Sequence, residues 1–180
     1  MEEPVHGILG RDAELAKVTH FIGSVSGGPS ALILEGTAGG KTTLWHAGVS
    51  IARARGHRVL SCRAAESEAR LSYAALDDLL DFELPHLPAP QKRALDAALL
   101  RAEIEGAPPD QRAVSVASLG VLRALAASGP VIIAIDDLQW LDVPSARVLA
   151  FAVRRLEDAP VRILVALRAG CGWVCENRRP

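Results

Sequence analysis

The chain has 180 residues, 49% of them hydrophobic, which is enough for one substantial core and cramped for two complete domains. Its 20 basic and 21 acidic residues leave a net charge of −1, which excludes a chain-wide attraction to nucleic acid or anionic membrane. The amino-terminal sequence MEEPVHGILGRDAEL lacks the basic and apolar regions of a signal peptide. No apolar run approaches the roughly 18 residues that span a bilayer. These features predict a cytoplasmic protein with no membrane partner.

Apolar runs bounded by glycine, proline or charged residues predict four strands. In chain order they cover residues 31–35, 58–62, 131–135 and 161–167. Each run is short and almost entirely apolar. This pattern is typical of a parallel sheet that helices cover on both faces.

Segments with helical spacing separate these strands and cover residues 41–55, 71–82, 91–103, 114–127 and 145–156. The alternation predicts right-handed crossovers and an α/β fold, in which a mostly parallel sheet lies between two layers of helices. Proline-rich stretches at 84–90 and 106–110 are predicted loops within one domain that covers residues 1–168. Residues 169–180 lose the apolar periodicity and are predicted to form an irregular tail.

A glycine-rich turn follows the first predicted strand, where ALILE leads into GTAGGKTTL and the next helix. In such a turn, successive backbone N–H groups surround a phosphate, a lysine reaches its outer oxygens, and a hydroxyl binds Mg²⁺. Lys41 and Thr42 occupy the lysine and hydroxyl positions. The predicted phosphate-binding residues are Gly36, Thr37, Ala38, Gly39, Gly40, Lys41, Thr42 and Thr43.

This loop is one residue shorter than the regular spacing G-x-x-x-x-G-K-[ST], because only three residues separate Gly36 from Gly40. One residue spans roughly 3.3–3.6 Å, so the loop must close more tightly or the strand must supply a residue. The second solution would move Glu35 to the first glycine position and bring a carboxylate near an anionic ligand. The segment could also be a glycine-rich turn that binds nothing.

Two adjacent acids, Asp136 and Asp137, follow the apolar strand in PVIIAIDDLQWLD. Open α/β sheets place their ligand sites at this end of the strands. In phosphoryl transfer, Asp136 can hold Mg²⁺ through water, and Asp137 can polarise the attacking water. Asp137 could instead cap the following turn.

Arg168 ends the last predicted strand, so it should lie at the same edge of the sheet as the two acids. Its guanidinium has fixed donors that suit phosphate oxygens, and it could sense a γ-phosphate. An arginine at this position could equally be solvated.

As a set, these segments resemble the signal-transducing P-loop ATPases related to the AAA class, and within them the large ATP-binding regulators of the LuxR type. The similarity covers about residues 9–168. It lies in LGRDAEL, LEGTAGGKTTLWHAGV, GHRVLSCRAAESEARLSYAALDDLLD, RAVSVASLGVLRALA and GPVIIAIDDLQWLDVPSARVLAFAVRRL.

The resemblance implies a three-layer P-loop core that works as an ATP-driven switch, with ATP and Mg²⁺ as cofactors. Gly10 and Arg11 would lie near the adenine, and Arg168 would sense phosphate. In the family this core precedes a last strand, a helical lid, a helical-repeat sensor region and a DNA-binding helix-turn-helix. Compared with that pattern the chain is incomplete at its carboxyl end. It is therefore expected to bind nucleotide and to have the potential to self-associate, but not to bind DNA by itself.

The family's phosphate loop reads G-x-x-G-x-G-K-T, and the residue between Gly39 and Gly40 is missing here. The first hypothesis is a regulatory ATPase module with slow hydrolysis. The alternative is a degenerate module that keeps the fold without productive nucleotide binding. A small-molecule kinase would also have a P-loop, but the adjacent acids on one strand and the GRDAEL segment favour an ATPase.

Overall fold

The computed structural model describes residues 11–24, 27–36, 40–82, 87–102 and 109–170. Four of the predicted site residues, Gly10, Thr37, Ala38 and Gly39, lie outside these ranges, as does the greater part of the predicted tail, residues 171–180. Among the helices of the described ranges, none combines the length and apolar character that crossing a membrane requires.

Four strands form one sheet in which every pairing is parallel. They are β1, Ser30–Gly36; β2, Arg58–Arg63; β3, Val131–Asp136; and β4, Val161–Arg168. The order across the sheet is β1-β4-β3-β2. The predicted parallel α/β fold is thereby confirmed, and each strand begins and ends within one residue of its predicted bounds.

Six helices accompany the sheet in the described ranges: α1, Asp12–Gly23; α2, Lys41–Ala54; α3, Ala74–Leu79; α4, Ala89–Ala98; α5, Gln111–Ala127; and α6, Val143–Val153. Short 3-10 turns cover Glu66–Glu68 and Leu138–Trp140. Helix α1 was not among the predicted helices. It buries only Val18 and Ile22, so its apolar pattern is weak.

The two faces of the sheet are covered by different helices, because successive side chains of a strand point to opposite faces. On one face, Ile132 and Ala134 of β3 pack with residues of α1 and α2. On the other face, Ile133 and Ile135 pack with residues of α3, α5 and α6. Strand β3 is buried along its whole length. Strand β1 lies at the edge of the sheet and is less covered, with Ile33 50% exposed.

The buried carboxylate of Asp142 sets two helix boundaries that differ from the predicted ones. Asp142 accepts hydrogen bonds from the N–H groups of Tyr73 at 3.0 Å and Ala75 at 3.1 Å, so α3 begins at Ala74 rather than at residue 71. It also accepts from the N–H of Ser145 at 2.9 Å and caps α6, which begins at Val143. The start of α3 thus depends on contacts between residues distant in sequence, whereas the start of α6 depends on a local cap.

Candidate functional site

The carboxyl ends of the parallel strands bring the described site residues to one edge of the sheet. Gly36 of β1 pairs in register with Arg168 of β4, and Asp136 of β3 pairs with Arg63 of β2. Helix α2 begins at the same edge with Lys41. Residues widely separated in sequence therefore lie together at this edge, where open α/β sheets form a ligand-binding crevice.

The first glycine of the phosphate loop keeps its place at the end of β1. Glu35 pairs with Leu167 and Gly36 with Arg168, so the strand does not advance by one residue. The carbonyl oxygen of Gly36 accepts hydrogen bonds from Lys41 Nζ at 3.0 Å and from the N–H of Ala169 at 3.1 Å. This register disfavours a loop in which Glu35 takes the first glycine position.

Gly40 and Arg11 are in close contact where the loop enters α2. Gly40 has φ 95°, in the left-handed region that favours glycine. A Cβ atom there would lie 2.9 Å from Cζ of Arg11. Arg11, predicted to lie near an adenine, thus has its guanidinium against the last glycine of the phosphate loop.

Thr42 and Asp136 are the predicted metal-binding pair, and their side chains meet. Thr42 Oγ1 lies 3.4 Å from Asp136 Oδ1, which also accepts the N–H of Asp137 at 3.0 Å. The side chain of Asp136 is only 1% exposed. Its other oxygen, Oδ2, is buried and has no hydrogen-bond partner among the described residues. The adjacent Thr43 is exposed in the first turn of α2.

These atoms fit a magnesium site. A buried carboxylate oxygen without a hydrogen bond costs on the order of 1–3 kcal/mol, and a hard cation would satisfy it. Mg²⁺ is usually held by one or two protein oxygens together with water and substrate phosphates. Within the described ranges no group of three or more His, Cys, Asp or Glu side chains could hold a metal. Asp136 and Thr42 would therefore share the ion with phosphate and water.

Asp137 and Arg168, the two predicted catalytic residues, are connected through Gln139. Gln139 Nε2 donates to Asp137 Oδ1 at 2.8 Å, and its Oε1 accepts the N–H of Arg168 at 3.1 Å. Asp137 has φ 52° and precedes the 3-10 turn without making a side-chain capping bond, so the proposed capping role is not observed. The side chain of Arg168 is exposed at the crevice edge.

Gln139 and Arg63 were not predicted as site residues. Arg63 is the polar residue that ends β2, just as Asp136 ends β3 and Arg168 ends β4. The predicted strand ended at Cys62, one residue before the observed end of β2. Had it ended at Arg63, the rule that polar residues at strand ends form the site would have included this arginine. No comparable signal marks Gln139, because its two partners lie on different elements.

A glycine-rich loop between a parallel strand and a helix, with a buried acid on a neighbouring strand, defines a nucleotide-binding P-loop module. The AAA ATPase domain family matches residues 8–165. The chain belongs to the AAA ATPase domain family, whose members bind nucleotide and usually Mg²⁺. A comparison with curated proteins finds no match.

Proposed function

We propose that this chain is the ATP-binding regulatory ATPase module of a LuxR-type transcriptional regulator, in which MgATP, slowly hydrolysed, works as a switch. The contact of Thr42 with the buried, under-satisfied carboxylate of Asp136 is the observation that carries the proposal. The resemblance of several sequence segments to LuxR-type regulators supports the regulatory context. In that context the module would act in the cytoplasm, have the potential to self-associate, and leave DNA binding to another region.

The proposed roles follow from the chemistry of each side chain. Lys41, now hydrogen-bonded to the Gly36 carbonyl oxygen, would turn to the outer phosphate oxygens of ATP. Thr42 and Asp136 would hold Mg²⁺, which supplies charge neutralisation at the phosphates. Asp137 would orient and polarise the attacking water, and Arg168 would contact the γ-phosphate from the end of β4.

A degenerate module without nucleotide binding is the second candidate. The observation in its favour is the short loop, which has only three residues between Gly36 and Gly40. A shorter loop can direct fewer N–H groups at one phosphate, so it weakens the interaction that anchors a nucleotide.

Calorimetric titration of the purified chain with ATP, with and without Mg²⁺, separates the two candidates. We expect binding that strengthens with Mg²⁺ and is lost in Lys41→Ala. Lys92→Ala is the matched control, because Lys92 pairs with Asp96 on α4, away from the crevice. Thermal unfolding of each variant checks that the fold is intact. Absence of ATP binding by the folded wild-type chain, or equal binding by a folded Lys41→Ala variant, would contradict the proposal.

A further inference from the structure

We infer that Arg63 is the counter-cation of Asp136 in the metal-free protein and leaves this carboxylate when Mg²⁺ binds. Arg63 would thereby set how strongly nucleotide binding depends on magnesium. The inference rests on the proposed function for its nucleotide experiment, and a second experiment without nucleotide tests it independently.

The backbone holds Arg63 next to the metal-binding acid. Arg63 and Asp136 are register partners at the ends of β2 and β3. The N–H of the next residue, Ala64, donates to the carbonyl oxygen of Asp136 at 3.2 Å, which keeps the two strand ends together. Arg63 Nε lies 3.6 Å from Asp136 Oδ2. This distance gives an ion pair but is too long for a hydrogen bond.

The two oxygens of Asp136 therefore differ. Oδ1 accepts from the N–H of Asp137 and lies near the hydroxyl of Thr42. Oδ2 pairs with the charge of Arg63 at 3.6 Å and lacks a hydrogen bond within the described part of the chain. Arg63 thus offsets part of the negative charge at Oδ2, and Oδ2 can still bind a cation.

Burial of the pair is unequal, and this asymmetry makes Arg63 the partner that can move. The side chain of Arg63 is 63% exposed, whereas that of Asp136 is 1% exposed. A solvated guanidinium can rotate away at small cost, while the buried carboxylate cannot follow it. Arg63 also lines a cavity of about 240 Å³ together with Asp78, whose carboxylate offers the departing guanidinium another anionic partner.

Arg63 and Mg²⁺ would both be attracted to Oδ2, but their positive charges repel each other there. Loss of the Arg63 charge should therefore strengthen ATP binding in the presence of Mg²⁺. Without Mg²⁺, loss of the Arg63 charge should weaken ATP binding, because Asp136 would face the phosphates without a counter-charge. Both effects increase the ratio of ATP affinity in excess Mg²⁺ to ATP affinity in EDTA.

The first experiment measures this ratio by calorimetry for wild type, Arg63→Gln, Arg63→Lys and Arg53→Gln. Arg53 lines the same cavity and makes no ion pair with Asp136 in the described structure, so it controls for a general change of charge. We expect Arg63→Gln to raise the ratio about fivefold, in keeping with the modest strength of a mostly exposed ion pair. Arg63→Lys and Arg53→Gln should stay near wild type. An unchanged ratio, with both affinities lowered together, would show that Arg63 contacts the nucleotide instead and would overturn the inference.

The second experiment uses no nucleotide and compares melting temperatures in EDTA. Arg63→Gln should lower the melting temperature by about 2 °C in the wild-type background and leave it unchanged in an Asp136→Asn background. Equal shifts in both backgrounds would overturn the inference. Absence of ATP binding in all variants would contradict the proposed function, and the melting comparison would then decide the role of Arg63 alone.

Discussion

Gln139 donates a hydrogen bond from Nε2 to Asp137 Oδ1 at 2.8 Å. Its Oε1 accepts the backbone N–H of Arg168 at 3.1 Å, so one amide connects the proposed water-polarising acid to the end of β4. The backbone of Asp137 lies in the left-handed region, with φ 52°, and the Gln139 amide contacts its carboxylate. The orientation of its carboxylate therefore depends on a residue that would not touch the nucleotide.

For Gln139→Ala we expect steady-state ATPase assays to show kcat lowered about tenfold and KM changed less than about twofold, because orientation of the base is lost while binding remains. Gln139→Glu should lose more activity, since it places a second negative charge beside Asp137. Gln91→Ala on α4 is the control for loss of an amide elsewhere. An unchanged kcat in Gln139→Ala would mean that this bridge does not position Asp137.

The length of the phosphate loop can be tested by restoring the missing residue. Insertion of Ile between Gly39 and Gly40 should strengthen MgATP binding at least about tenfold, or roughly 1.4 kcal/mol. One additional hydrogen bond to a charged phosphate contributes about 1.5–3 kcal/mol, which is sufficient. Calorimetry at fixed Mg²⁺ and salt would compare the folded proteins. An Ala insertion should act like Ile, because the loop length matters rather than the side chain. Equal MgATP affinities with and without the insertion would show that the length of the loop does not limit ATP binding.

Asp142 should contribute more to stability than an ordinary helix cap. Its carboxylate accepts hydrogen bonds from the N–H groups of Tyr73, Ala75 and Ser145, and it is 2% exposed. Asp142→Ala leaves these donors without their acceptor and should lower the free energy of unfolding by about 3 kcal/mol. Asp110 caps α5 through one exposed bond to Ala113, and Asp110→Ala should cost about 1 kcal/mol. Urea denaturation would measure the free energy of unfolding of both variants. Similar decreases in the two variants would contradict a larger role for Asp142.

Burial raises the pKa of the Cys62 thiol to about 12, with the Asp78, Asp142 and Asp136 carboxylates adding to the rise. The folded protein therefore retains a proton that the unfolded chain releases near pH 8.5. This contribution to stability is present below about pH 8.5 and is lost as the pH rises towards about 12. Stability falls with rising pH in this range because the pKa of Cys62 is higher in the folded protein than in the unfolded chain.

A variant with Cys171→Ser and Cys175→Ser would isolate Cys62 for thiol titration. We expect slow reaction with a thiol reagent at about pH 9 in the folded protein and rapid reaction in denaturant, since the reagent needs thiolate. Equally fast reaction in both states would show that Cys62 is accessible and its pKa not raised.

The sequence alone determined the four strands and the order in which the glycine-rich segment follows β1 and precedes α2. A strand of a parallel sheet is buried over most of its length, so its apolar run shows where it begins and ends, as in 131–135. The polar residues that end such runs, Asp136 and Arg168, could be assigned to one edge because parallel strands finish on the same side.

Only the tertiary structure decided the strand order, the late start of α3 and the pairings around the crevice. Asp142 fixes the first turn of α3 through hydrogen bonds to residues far from it in sequence. Local helix propensity cannot predict such a contact. Gln139 and Arg63 likewise gain their positions from neighbours on other elements. Periodicity reports how each segment is buried, whereas side-chain pairings depend on which segments the packed sheet brings together.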